Sequence, residues 1–234
     1  RYRPARFVGF AQDEAGHRAL RIADGDGERT LQARLVVAAD GTRSAVREAL
    51  GIGVDEHDYG QTLFVARVRA TQAPDGTAYE RLCDNGPTAL LPRGDRHWGV
   101  VHGVAREDAD EVAALDEAAW LARLQHAIGW RIGRLTGSGE RSAYPIVRVV
   151  AQRLVAERAV VLGNAAQTIH PIGAQGFNLG LRDALTLAEE IACRDDPGDP
   201  ASLAAYATRR QEDRGRTLAF SDGLARLTAN PSPL

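Results

Sequence analysis

The sequence predicts an α/β domain interrupted by an inserted antiparallel β-sheet. Three observations predict it. Two Val- and Leu-rich runs, Leu35–Ala39 and Ala159–Leu162, read as short strands buried on both faces, as in a parallel sheet. Each is followed by a turn and then by a helical pattern. Between them, from about Gln61 to Ala105, strand-sized segments alternate with Pro- and Gly-containing turns, the texture of an antiparallel sheet.

The elements follow in order. Arg6–Gln12, His17–Ala23 and Glu28–Gln32 are strand candidates of an opening meander, separated by the turn chemistry of Asp13-Glu14-Ala15-Gly16 and Asp24-Gly25-Asp26-Gly27. Ala33–Ala39 is the first buried strand, and it stops at Asp40-Gly41. Ser44–Leu50 reads as a short helix with Gly51 as its stop. Leu63–Ala70, Thr77–Cys83, Thr88–Leu91 and His97–Val104 are the strands of the insertion, split by Pro74-Asp75-Gly76, Asn85-Gly86-Pro87 and Pro92-Arg93-Gly94. Leu115–Ile128 is an amphipathic helix with Trp120, Leu124 and Ile128 on one face and Gly129 at its end. A loop around Gly137-Ser138-Gly139 leads to Ser142-Ala143-Tyr144-Pro145. After the second buried strand, a helix runs from about Phe177 to Cys193 with an apolar stripe of Phe177, Leu181, Ala184, Leu185, Ala188 and Ile191. A last long helix has Asp199 as N-cap and Pro200 in its first position, and ends before Asn230-Pro231.

Composition narrows the function classes. The chain has 234 residues, 44% hydrophobic and 26% charged, and 29 basic against 31 acidic side chains. A net charge of −2 offers no basic excess for nucleic acid. Every basic residue apart from histidine is arginine, which excludes a Schiff-base or P-loop lysine within this chain. Cys83 and Cys193 are too few for a disulfide framework or a structural zinc site; they read as buried small hydrophobes in a reducing compartment. The six histidines show no metal-ligand spacing. No apolar run is long enough to span a membrane, and no signal-peptide pattern opens the chain. With no methionine and Arg1-Tyr2-Arg3 at its start, the sequence reads as a piece of a longer protein.

Two segments carry the chemistry. In the first, Leu35 to Ser44, a buried strand ends in Asp40-Gly41 and a helix begins; its plain reading is an Asp-Gly turn with Ser44 as helix cap. In the second, Val160 to Asn178, a buried strand delivers Gly163-Asn164 to its end, and the loop His170-Pro171-Ile172-Gly173-Ala174-Gln175 leads into the helix start Gly176-Phe177-Asn178. Open α/β sheets bind ligands at strand carboxyl ends. Glycines let backbone N–H groups approach a ligand, and a helix start offers unpaired donors and partial positive charge. Such a site suits an anionic or electron-rich group.

In this order and separation the two segments resemble the Asp-Gly and Gly-Asp motifs of the class A flavoprotein aromatic hydroxylases, which share the p-hydroxybenzoate hydroxylase fold. Gly163-Asn164-Ala165-Ala166-Gln167-Thr168-Ile169-His170-Pro171, with Ser142-Ala143-Tyr144-Pro145 and Phe177-Asn178-Leu179-Gly180-Leu181-Arg182-Asp183, is similar to the ubiquinone-biosynthesis branch, above all to the 2-octaprenyl-6-methoxyphenol hydroxylases. The resemblance covers essentially the whole chain. It implies an α/β FAD-binding domain, Rossmann-like and incomplete, from residues 1–60 and 151–234, with an inserted antiparallel β-sheet substrate domain (α+β) at 61–150. The domain is incomplete in this reading because the family's opening Gly-x-Gly-x-x-Gly fingerprint does not occur in the sequence. The chain departs from the general family in carrying Asn164 in place of Asp, as the ubiquinone branch often does, and in the order Gly173-Ala174 before Gln175.

The resemblance further implies FAD as cofactor, NAD(P)H as electron donor, O2 as co-substrate and an aromatic or polyprenyl phenol as substrate, hydroxylated through a flavin peroxide adduct. It implies a cytoplasmic enzyme and allows peripheral contact with the inner membrane or a ubiquinone-biosynthesis complex. Carried over by residue, Asn164 would bond the ribityl or phosphate portion of FAD. Asp40 and Gly41 would line the cofactor crevice, with Pro171, Gly173 and Gln175 in the loop beside it. Gly176, Phe177 and Asn178 would offer backbone N–H groups to the flavin pyrimidine edge. Tyr144 and Pro145 would face the substrate, although a core aromatic is an equal reading of Tyr144. His170 reads as structural and Arg43 as a surface or cofactor-rim group; no catalytic residue is assigned, and no metal is implied. The alternatives are another FAD-dependent aromatic hydroxylase or halogenase, a geranylgeranyl-reductase-like flavoenzyme, or a non-catalytic core that binds no cofactor.

Overall fold

A computed structural model describes residues 4–83 and 86–228 of the chain. The Asn85 part of the expected turn, the side chain of Cys83 and the expected helix stop at Asn230-Pro231 lie outside the described residues. The chain divides into two compact units, Arg1–His57 with Val147–Asp222, and Asp58–Ile146 with Gly223–Leu234.

The first unit opens with an antiparallel meander, β1 (Ala5–Phe10), β2 (Arg18–Asp24) and β3 (Gly27–Ala33), paired in that order. Gly27 closes the β2–β3 turn at φ 115°, a left-handed conformation that L side chains rarely adopt. β4 (Val36–Ala38) then leads to the short helix α1 (Ala45–Ala49).

The chain next enters β5 (Val54–Ala70), which begins well before the expected Leu63. The second unit continues with β6 (Tyr79–Cys83), β7 (Gly86–Pro92), β8 (Trp98–Ala105), α2 (Ala109–Ala114), α3 (Glu117–Ile128) and β9 (Leu135–Ser138). Its antiparallel sheet runs β5-β8-β7-β6, with β9 also on β5. The segment expected to be a loop around Gly137 and Ser138 is thus largely a strand. Gly and Ser have weak strand preference, and the ladder Val68↔Ser138 and Arg69↔Gly137 overrides it. Asp116 caps α3 by accepting from the Ala119 N–H at 2.8 Å. Trp120 and Leu124 then bury themselves with Phe64, Val68, Leu90, Trp98 and Val100. Removing a buried aromatic such as Phe64 from a core of this kind costs about 3–5 kcal/mol.

The chain returns along β10 (Ser142–Ala151), then β11 (Val155–Ala156), β12 (Ala159–Val161) and β13 (Gln167–Thr168), and closes with α4 (Gly176–Ile191) and α5 (Pro200–Thr228). β12 pairs antiparallel with β11 and parallel with β4, in the register Ala159↔Val36, Val160↔Val37 and Val161↔Ala38. Two strands far apart in sequence thereby end side by side. All three residues of β12 are fully buried. β4 is buried only at Val36 and Ala38, and Val37 is exposed, so the expectation of burial on both faces fails for that strand. Asp199 caps α5, accepting from the Ser202 N–H at 3.0 Å.

The apolar stripe expected on α4 faces the wrong way. Its buried residues are Leu179, Asp183 and Leu187, whereas Phe177, Leu181 and Leu185 are exposed. Both sets recur every four residues, so periodicity alone cannot rank them. The choice follows a partner that buries an acid, described below. Cys193, expected to be buried, is exposed, because α4 stops at Ile191 and leaves it in the following turn.

Candidate functional site

The parallel pair β4–β12 brings both singled-out segments together within the first unit. Past β4, Asp40 turns back on its own helix. Its Oδ1 accepts from the Ser44 hydroxyl at 2.5 Å and its Oδ2 from the Val46 N–H at 3.1 Å. Ser44 in turn accepts from the Arg47 N–H at 2.9 Å as the N-cap of α1. The plain reading of this segment therefore describes the geometry, and the exposed Asp40 keeps only its remaining lone pairs for a ligand. Gly41 lies beside it at φ 90°, and a Cβ there would meet nothing within 4 Å.

Past β12, Gly163 adopts φ 57° and Asn164 is exposed. The two turns are tied together. The hydroxyls of Thr42 and Thr168 lie 2.8 Å apart. The buried guanidinium of Arg47 donates to the Ala165 carbonyl at 2.7 Å and to the Thr42 carbonyl at 3.0 Å. Arg47 is a site residue that reading the sequence missed. In a five-residue helix it looks like any solvated arginine, and only the parallel pairing places Ala165 within its reach.

The loop before α4 is built from local bonds. His170 is buried; its Nδ1 accepts from the Ile172 N–H at 3.1 Å, and its carbonyl accepts from the Ser221 hydroxyl at 3.0 Å. Burial pulls its pKa down from 6.5 to about 4, so at neutral pH the imidazole is uncharged and carries its proton on Nε2. Pro171 is exposed, and its carbonyl accepts from the Ala174 N–H at 2.8 Å. Gly173 at φ 77° and Ala174 at φ 51° are both left-handed. The alanine directly before Gln175, where the resembling family usually has glycine, thus adopts a conformation that L side chains rarely take.

Helix α4 then starts without a side-chain cap. Gln175 is its N-cap residue, but its amide donates to the Gly173 carbonyl at 3.1 Å instead of accepting from the first turn. The first N–H groups of a helix have no partner within it. Here those of Gly176, Phe177 and Asn178 have no side-chain cap, the Phe177 ring is 80% exposed, and Asn178 is exposed as well. An uncapped start with left-handed glycines beside it suits a flat, electron-rich edge such as that of a flavin, which needs close backbone donors and no acid. On this ground the residues fit FAD.

Tyr144 and Pro145 sit apart from these residues in the chain's division, on the β10 segment assigned to the second unit. Both are exposed, so Tyr144 is not a core aromatic. Two clefts of the second unit, of about 380 and 560 Å³, share Glu117, Ser138 and Gly139 and are not lined by Tyr144 or Pro145. Among the described residues, no group of three or more His, Cys, Asp or Glu side chains could hold a metal ion. No helix among them is long and apolar enough to cross a membrane.

Known proteins place this geometry in context. The chain is 37% identical to the ubiquinone hydroxylase UbiL of Rhodospirillum rubrum over 231 residues, covering 97% of this chain and 53% of that protein. It is 30% identical to the human mitochondrial ubiquinone biosynthesis monooxygenase COQ6 over 255 aligned positions, covering 92% of this chain and 54% of that protein. The chain spans about half the length of the curated relatives it matches. Among solved structures it is similar to PqsL from Pseudomonas aeruginosa, with TM-score 0.75 and 28% identity over 97% of this chain and 64% of that one. It also matches the p-nitrophenol 4-monooxygenase PnpA from Pseudomonas putida, with TM-score 0.77 over 98% of this chain and 58% of that one, and at 19% identity this match speaks for the fold alone. The model of the FAD binding domain matches residues 2–221, nearly the full length, and the chain belongs to that family.

Proposed function

We propose that this chain forms part of a flavin-dependent monooxygenase that hydroxylates a polyprenyl phenol in ubiquinone biosynthesis, with NAD(P)H as electron donor and O2 as co-substrate. The observation that carries the reading is the pairing of β4 with β12. It sets the Asp40-Gly41 and Gly163-Asn164 turns side by side, ahead of the uncapped start of α4. The ubiquinone hydroxylases among the relatives support the pathway.

In this reading Asn164 hydrogen-bonds the ribityl or phosphate part of FAD, and Asp40 and Gly41 line its crevice. Pro171, Gly173 and Gln175 shape the loop, and the N–H groups of Gly176, Phe177 and Asn178 meet the pyrimidine edge. FAD, when bound, supplies the redox chemistry and oxygen activation. The chain's own part is to orient it and to hold negative charge at that edge. Three N–H groups and the positive end of α4 do this without a proton transfer. Neutral Asn164 adds no competing negative charge. Tyr144 and Pro145 contact the substrate. Because a polyprenyl tail is held in lipid, the whole enzyme works at a membrane surface.

The test is turnover by the full-length protein. A polyprenyl phenol should stimulate NAD(P)H oxidation and gain one oxygen atom, read by mass spectrometry, and the protein should sediment with lipid vesicles. FAD-loaded enzyme that oxidises NAD(P)H with no oxygen inserted into any polyprenyl phenol would favour the reductase alternative. Tyr144→Ala should weaken substrate-dependent turnover more than FAD binding; equal losses would make the residue structural.

A further inference from the structure

Behind the second turn lies an ion pair with almost no exposed surface. The Asp183 side chain is fully buried and that of Arg210 is 4% exposed. Asp183 Oδ1 accepts from Arg210 Nε at 2.7 Å. Its Oδ2 accepts from the Gln167 amide at 2.6 Å and from the Gly163 backbone N–H at 3.1 Å. Gln167 Oε1 accepts from Arg214 Nε at 2.8 Å, and Arg214 also donates to the Ala151 carbonyl at 2.7 Å. A buried pair is weak evidence for stability, because desolvating both charges offsets much of their attraction. The informative feature is where the carboxylate's third bond goes. It ends on the backbone of Gly163, the residue directly before Asn164.

Helix α4 grips the same turn a second time. Gly180, one turn before Asp183, lies so close to the strand end that a Cβ there would stand 3.1 Å from the Gly163 Cα. One contact sets the distance between helix and turn, and the carboxylate sets the orientation of the peptide. This grip also explains why α4 buries an acid and turns Phe177, Leu181 and Leu185 outward.

We propose that Asp183 is a positioning residue whose carboxylate, through its bond to the Gly163 N–H, fixes the Gly163-Asn164 turn and so the direction in which Asn164 meets the cofactor. The proposal rests on the flavin reading of Asn164. An asparagine at 183 cannot replace the carboxylate. If its oxygen stays on Arg210, its NH2 faces the Gly163 N–H and the Gln167 NH2, donor against donors. Arg210→Leu breaks the same pair, together with the Arg210–Asp213 pair at 2.7 Å, but leaves the carboxyl oxygens available to Gly163.

The experiment uses the full-length protein. Wild type, Asp183→Asn, Arg210→Leu and Gly180→Ala are compared by melting temperature, amide hydrogen exchange and FAD titration with the flavin absorption spectrum. Asp183→Asn and Arg210→Leu should lower the melting temperature alike. Asp183→Asn should speed exchange at Gly163–Ala166 and weaken FAD binding by about tenfold, the loss of roughly one charge-assisted hydrogen bond, with a shifted flavin band. Arg210→Leu should leave both within about threefold of wild type, because the Gly163 bond survives. Gly180→Ala keeps every charge and suits a helix, so it serves if Asp183→Asn does not fold; it should shift exchange and FAD affinity in the same direction. Wild-type exchange at Gly163–Ala166 in a folded Asp183→Asn or Gly180→Ala variant would overturn the proposal. Equal loss of FAD affinity in Asp183→Asn and Arg210→Leu would also overturn it, since the pair would then be merely structural. Faster exchange with unchanged FAD affinity would uphold the hold on the turn and overturn the reading of Asn164 as a flavin contact.

Discussion

The two strand-to-helix turns of the first unit start from the same layout and end differently. After β4, the helix α1 is closed at once: Ser44 caps it and Asp40 accepts from both Ser44 and Val46. After β12, twelve residues lie between Gly163 and Gly176, and α4 begins with Gln175 donating to the Gly173 carbonyl instead of capping it. The first turn caps its helix with its own side chain, and the second leads to a helix start with no side-chain cap. A strand end followed by a helix is therefore not enough to mark a binding turn; in the proposed reading, the helix start without a side-chain cap is what suits a ligand.

The largest expected effect comes from removing the tie between the turns. Arg47→Leu leaves the Ala165 and Thr42 carbonyls without their charged donor and should cost about 3 kcal/mol in urea denaturation. A loss below about 0.5 kcal/mol would mean that the turns hold their places separately.

Acid should weaken the loop before α4. The folded pKa of His170, about 4, lies below the unfolded value of 6.5, so the unfolded state binds more protons between those pH values. Stability from this group is complete above about pH 6.5 and falls as pH drops toward 4, by up to ~3 kcal/mol. Buried His102 behaves the same way in the second unit, where burial and then the Arg123 charge lower its pKa to about 4. His170→Asn keeps an acceptor for the Ile172 N–H and removes the titration. Between pH 6.5 and 4 its unfolding free energy should lose about half the wild-type slope. A slope identical to wild type would assign the acid sensitivity elsewhere.

A more direct test of the contrast is to exchange the two starts. Gln175→Asp supplies α4 with the cap it lacks and should stabilise the protein by about 1 kcal/mol. Its carboxylate would occupy the free N–H groups and lower FAD affinity of the full-length protein by about tenfold. Ser44→Ala removes the cap of α1 and should cost about 1 kcal/mol while leaving FAD affinity unchanged. If Ser44→Ala weakened FAD binding as strongly as Gln175→Asp, the division of roles between the turns would be wrong.

The smallest effect concerns Ala174. A left-handed alanine is disfavoured by roughly 1 kcal/mol, so Ala174→Gly should raise stability by a little less, the difference being glycine's greater freedom in the unfolded chain. A lower melting temperature would mean that loop rigidity outweighs the strain.

Much of the local structure was legible in the residues. Asp-Gly turns, Ser44 and Asp199 as caps, Pro200 at a helix start and the Val-rich runs act through bonds to neighbours a few residues away, and sequence spacing reports such bonds directly. The Asp40-Gly41 turn was legible for the same reason, its carboxylate bonding Ser44 and Val46. What residue spacing could not decide depends on partners distant in the chain. The outward turn of Phe177, Leu181 and Leu185 depends on Arg210 reaching Asp183. The role of Arg47 depends on Ala165, 118 positions away. The strand at Gly137 and Ser138 depends on β5. An amphipathic period names the sets of residues that can share a face, but burial is set by what the rest of the chain brings to that face. Here the tertiary structure brought a charge, and the helix turned its acid inward to meet it.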